Sequence, residues 1–171
     1  LHGELPAAYI GMGETAENVA RRYKISRADQ EAFAAQSHHK AARANLAAEI
    51  VAVGGIFRDQ CIRPETTPDV LAALAPAFHA DGTVTAGTSS PLTDGAAAVL
   101  VTNKGYARRH GLKPMARVVA TAVSGCDPAI MGMGPVGATR KALRRAKLEI
   151  HDIDIVEINE AFAAQALACI R

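Results

Sequence analysis

Small and apolar residues at Ala16, Val19, Ala20 and Tyr23 recur at helical spacing, which predicts one helix over 15–23. Ser26 followed by Asp29 three positions on reads as a helix start. The run from there toward residue 48 carries a narrow stripe of Phe33, Ala34, Ser37, Ala41 and Ala44, with Lys40 and Arg43 outside it. Residues 49–53 are β-like and are broken by Gly54 and Gly55. Thr67, Pro68 and Asp69 open another helix, with proline at its first position. That helix bears Leu71 and Leu74 and is stopped by Pro76. Residues 83–85 read as a short strand, and 87–91 as a loop of small polar residues.

Beyond residue 95 the period changes. Residues 95–102 and 116–123 are nearly continuous apolar runs, the pattern of strands buried on both faces. A short helix between them ends at Gly111. A glycine- and methionine-rich loop over 125–135 leads into a helix at about 136–147. Residues 152–158 alternate charged and aliphatic and read as a strand, and 159–171 as a helix. Strand and helix thus alternate three times, which predicts an α/β architecture. Residues 1–78 are mostly helical and read as a separate module.

Composition narrows the class. The 171 residues are 49% hydrophobic and 21% charged, as in a globular protein rather than a disordered one. Nineteen basic and 17 acidic residues leave a net charge of +2, so there is no polycation for nucleic acid. No apolar run reaches the roughly 20 residues that span a bilayer. Three cysteines without CxxC spacing make neither a disulfide framework nor a zinc site, so the expectation is a reducing compartment and no metal. Tryptophan is absent, aromatics are 4% and alanine abounds, so the core must depend on close backbone approach. The chain opens on Leu1 rather than Met, and the last helical pattern is still running at Arg171. Both ends therefore read as cuts in a longer polypeptide, although a frayed natural end has the same look.

Candidate chemistry concentrates in three places. Asn159 stands where a strand gives way to a helix, the edge at which α/β sheets meet ligands. It fits two roles there: a helix N-cap, or an amide holding a polar group or water in a site. The segment 82–95 is rich in glycine and hydroxyls, so it is either a tight turn or a backbone surface for a ligand. Met131 to Pro135 is either an apolar lining or core filler. Cys61, Cys126 and Cys169 have no base beside them in sequence and read as inert thiols. His38 and His39 lie in a charged helix, and His2, His79, His110 and His151 stand singly. Arg140, Lys141, Arg144, Arg145 and Lys147 read as a solvated face, with attraction of a phosphate-rich cofactor as the other possibility.

Taken together, these motifs resemble the thiolase family. Residues 12–20 (MGETAENVA) are similar to its MGxTAENVA segment, and 25–34 to its ISRxxQDxFA helix start. Residues 82–95 resemble GTVTAGxxSxxxDGA, 127–135 resemble VDPxxMGxGP, and 159–165 are NEAFAAQ. The five matches are collinear and cover nearly the whole chain. Residues 62–67 and 87–90 look most like the degradative 3-ketoacyl-CoA thiolases of fatty-acid β-oxidation, and Gly11 stands where biosynthetic thiolases carry a histidine.

The resemblance implies part of a layered αβαβα fold with a mostly helical loop domain. It places 1–90 in that CoA-binding loop domain, 91–112 in the returning part of the N-terminal half, and 113–171 in the start of the C-terminal half. It implies an acetyl-CoA C-acyltransferase that moves an acyl group between a 3-ketoacyl-CoA and CoA, with CoA as substrate and no cofactor. Asn159 matches the asparagine that holds the water of an oxyanion hole. Met131 matches a methionine near the reacting acyl group, and Met12 one lining the acyl pocket. Arg63, Leu74, Phe78, Ala86 and Ser90 match positions along the CoA, Arg63 toward the nucleotide and Ser90 near the pantetheine. Ala161 and Phe162 match further wall residues.

The same resemblance implies what this chain lacks. The acylated cysteine falls before Leu1, and the acid–base histidine (in GHP) and second cysteine (in CxGGG) fall after Arg171. The stretch between Asn45 and Cys61 is shorter than in relatives. The expectation is a central portion of a degradative thiolase, inactive alone. The alternative is a non-catalytic CoA-binding or interaction module of the same fold. Such a piece would expose sheet edges and apolar faces and be oligomeric, bound to a partner piece, or a proteolytic remnant still embedded in its fold. The intact protein is expected to be a homo-oligomer in the cytoplasm, or an organelle matrix if eukaryotic.

Overall fold

The computed structural model describes residue 3 and residues 6–171; Leu1 and His2, on which two expectations above fall, lie outside the described residues. Six α-helices are present among the described residues. α1 (Met12–Arg22) starts earlier than its apolar stripe, because the Gly11 N–H donates to the Glu14 carboxylate at 2.8 Å and closes the first turn. α2 (Arg27–Arg43) is capped by Ser26, whose Oγ accepts from the Asp29 N–H at 3.1 Å. It stops at Arg43, short of the predicted 48. Residues 44–48 are exposed, and an alanine run with nothing packed on it does not hold a helix. Val53 and Ile56 then pair across Gly54 and Gly55, whose φ values of +58° and +82° make the tight turn.

α3 (Pro68–Ala72) is capped by Thr67, and its C-terminal end is held from α2. One Arg27 nitrogen donates to the carbonyls of Leu71 (3.2 Å), Ala72 (3.2 Å) and Leu74 (2.5 Å), while its Nε bonds Glu31 at 2.6 Å. A cation on a helix's last carbonyls satisfies acceptors that have no partner within the helix. α4 (Lys104–Arg109) is capped by Asn103 and ends before Gly111, which turns at φ +64°. α5 (Gly134–Ala146) and α6 (Ala163–Ile170) complete the set.

The core lies where α1 meets α6 and the 3-10 turn Pro128–Met133. Ala16, Val19, Ala20, Ile25, Val84, Ile130, Ala164 and Ala168 are all buried in it. Alanines on both α1 and α6 let the helix axes approach closely, as the composition required. Asn18 ties the 3-10 turn down by donating to the Ala129 carbonyl at 3.0 Å.

The three runs read as strands make no ladder among the described residues, where the only β pairs are isolated bridges, and Asp152 at the start of the third belongs to a 3-10 turn (Ile150–Asp152). Their side chains are open to solvent: Val99 is 87% exposed, Val123 82% and Ile155 78%. The apolar pattern is that of buried strands, but none of the described residues pairs with them in a ladder. The 116–123 run is instead held by α5, where Lys141 Nζ donates to the Val123 carbonyl (3.2 Å) and Arg145 to that of Thr121 (2.5 Å). Two of the five clustered cations thus serve the backbone.

Candidate active site

Residue 159 does not begin a helix. α6 starts at Ala163 with Phe162 at its N-cap position, and no side chain caps it. The cap role open to Asn159 is thereby excluded; the residue lies exposed in the extended stretch before the helix. Its stretch forms one wall of a cleft of about 590 Å³. α2 supplies the opposite wall through Phe33, Ser37 and His38, and the loop after Thr85 supplies the floor up to Ser90.

That loop is folded by its own hydroxyls. Thr88 Oγ1 accepts from the Thr85 N–H at 2.9 Å and Ser89 Oγ donates to the Thr85 carbonyl at 2.7 Å. The Ser90 N–H then donates to the Ala161 carbonyl at 2.9 Å, and Ser89 bridges Phe162. Backbone pairing therefore carries Ser90 and Asn159 to the same cleft. Across it, Ser37 Oγ donates to a Glu160 carboxylate oxygen at 2.5 Å and fixes the spacing of the two walls.

The remaining predicted residues sort by place. Phe78 and Phe162 meet edge to face with centroids 5.9 Å apart, and a Cβ on Gly13, next to Met12, would run into the Phe78 ring. Met12 is exposed at the start of α1. Leu74 lies against Gly87, where a side chain would collide with it and with Leu71, so the loop rests on α3 at Ala86 and Gly87. Met131 is half exposed in the 3-10 turn and does not line the Asn159 cleft. Arg63 is exposed and lines neither hollow; its N–H donates to His38 Nδ1 at 3.2 Å. Phe57 and Arg58, which sequence reasoning missed, line a second hollow of about 490 Å³ that shares Ala41, Ala44, Leu46 and Ile62 with the first. Their stretch has no periodicity, so no pattern in the sequence marked them.

None of the cysteines is built as a nucleophile. Cys61 lines the cleft half-buried, and Cys126 is exposed. Burial pushes the Cys169 thiol up, only partly offset by a hydrogen bond from Gln165, and its S–H donates to the Gly132 carbonyl at 3.3 Å. A raised thiol is mostly uncharged at neutral pH and reacts poorly. Among the described residues no group of His, Cys, Asp or Glu is placed to hold a metal. Among the described residues no helix is long and apolar enough to cross a membrane.

Comparison with known proteins meets this geometry. The thiolase N-terminal domain model matches residues 7–105 and the thiolase C-terminal domain model residues 112–171. The 3-ketoacyl-CoA thiolase of Erwinia tasmaniensis is 55% identical over 94% of this chain and 45% of its own length. That of Colwellia psychrerythraea is 50% identical over all of this chain and 48% of its own. The second alignment spans 185 positions against 171 residues here, so this chain lacks residues the relative has. Among solved structures, human mitochondrial 3-ketoacyl-CoA thiolase in complex with CoA superposes with a TM-score of 0.89 at 44% identity, over 92% of this chain and 42% of that one. A Bacillus anthracis acetyl-CoA acetyltransferase gives 0.84 at 40% identity, over 94% of this chain and 44% of that one. This chain belongs to the thiolase family, its fold is part of the thiolase fold, and it spans less than half the length of the relatives it matches.

Proposed function

We propose that the chain is the central portion of a degradative 3-ketoacyl-CoA thiolase and carries much of its CoA cleft. In thiolysis a cysteine adds to the 3-keto carbon, the C2–C3 bond breaks to release acetyl-CoA, and the CoA thiol then accepts the acyl group. Oxygen gains negative charge at each addition, and fixed donors that meet it lower the barrier. Asn159 is the residue of this chain suited to that task, through a water held by its amide. One observation carries the reading: Asn159 is released from any capping role and lines the same cleft as Ser90.

The wall at Cys61, Ile62 and α2 would take the nucleotide side of CoA, with Arg63 beside it outside the cleft, Ser90 the pantetheine, and Met12, Phe78, Phe162 and Met131 the acyl side. Leu74, Ala86 and Ala161 support the loop between them. CoA enters as substrate, the setting is β-oxidation in the cytoplasm, and the intact protein is a homo-oligomer. The loop domain covers 1–90, with parts of the two thiolase halves over 91–112 and 113–171. None of the three cysteines stands in either cysteine motif of the family, so this polypeptide is expected not to turn over alone.

The test is calorimetry with CoA beside an assay with acetoacetyl-CoA and CoA. Saturable CoA binding without cleavage is expected. Cleavage by the 171-residue chain would overturn the inactivity, and failure to bind CoA would overturn the cleft assignment. The mass of the native product separates this reading from a non-catalytic CoA-binding module: about twice this length or more supports the enzyme.

A further inference from the structure

The loop that brings Ser90 to the cleft begins on a buried carboxylate of another element. Glu17, on α1, is 4% exposed. Its two oxygens accept from the Thr83 N–H at 2.9 and 3.0 Å, and one of them accepts from the Val84 N–H at 2.8 Å. The Thr83 hydroxyl lies 3.4 Å from the second oxygen and accepts from Gln30 Nε2 at 2.9 Å. Gly82 is pressed against this carboxylate so closely that a Cβ there would overlap a Glu17 oxygen. Hydrogen bonds from backbone N–H groups to an ionised acceptor are shorter and about twice as strong as neutral ones.

We propose that Glu17 is a positioning residue of the cleft. Its carboxylate fixes Thr83 and Val84, the Thr85–Thr88–Ser89 hydroxyl network transmits that placement, and Ser90 is thereby set against Ala161 beside Asn159. The role rests on the acyl-CoA reading for its purpose but on the loop geometry for its substance.

The experiment compares Glu17→Gln with Asn103→Ala, which removes the cap of α4 and none of the hydrogen bonds that hold the loop, in CoA calorimetry and amide hydrogen exchange. Gln keeps the shape and loses the charge and one acceptor. In E17Q, exchange at Thr83, Val84 and Ser90 rises by about tenfold and CoA affinity falls by about tenfold. N103A loses thermal stability with CoA affinity unchanged. Equal loss of affinity in both variants, or none in E17Q, overturns the role. If the parent chain fails to bind CoA, the acyl-CoA reading fails, and exchange alone decides the rest. Acceleration reaching Ser90 sustains the positioning role, and acceleration confined to Thr83 and Val84 overturns it.

Discussion

Asn159 shows how a residue's surroundings choose among its chemical roles. An asparagine before a helix is a good cap, but here α6 starts only at Ala163, so the amide is too far upstream to reach the helix N–H groups. The three cysteines are sorted by the same logic. Cys126 is open, Cys61 and Cys169 are half covered, and only Cys169 is shifted up by burial. Iodoacetamide labelling at pH 8 followed by mass spectrometry should modify Cys126 first and Cys169 last. Fast modification of Cys169 would show that its thiolate is far more accessible than its packing against Gly132 allows.

At the scale of elements, two helices follow caps read from the sequence, Ser26 and Thr67, each of which accepts the N–H that its position predicts, and Asn103 caps α4 in the same way. Their ends follow packing. α3 is only five residues long and survives because Arg27 covers its last two carbonyls and that of Leu74 just beyond. Arg27→Ala should uncap α3 and leave the buried Glu31 carboxylate without its partner, costing on the order of 2 kcal/mol. Urea unfolding measures that loss. Arg27→Lys should recover little of it, because a point charge on a flexible stem does not reproduce the planar fork. A wild-type midpoint in R27A would remove the clamp from the account. Nothing in the sequence marks this clamp, since Arg27 and Leu71 lie 44 positions apart.

For the whole molecule, the governing feature is apolar chain without a neighbour. The 95–102, 116–123 and 152–158 runs were legible as strands from their composition, yet a strand's ladder needs a second strand at about 4.8 Å. The described residues provide none. Exposed apolar patches of this extent drive association. The purified chain should therefore sediment above its monomer mass of 17.9 kDa, and Val99→Lys with Val118→Lys should lower that association. The backbone amides of 95–102 should exchange faster than those of α1. A monodisperse monomer with protected amides there would contradict the structure.

The sequence by itself determined the family, the helix caps at Ser26 and Thr67, the alanine-rich core and the motifs from which the cleft is built, because caps and short motifs are local in the chain. Only the tertiary structure decided that Asn159 is uncapped, that Ser90 reaches it through Ala161, that Met131 and Arg63 stay out of the cleft, and that Glu17 holds the loop. Each of those outcomes depends on groups distant in sequence meeting within hydrogen-bond range, and that distance is set by how α1, α2 and α6 pack.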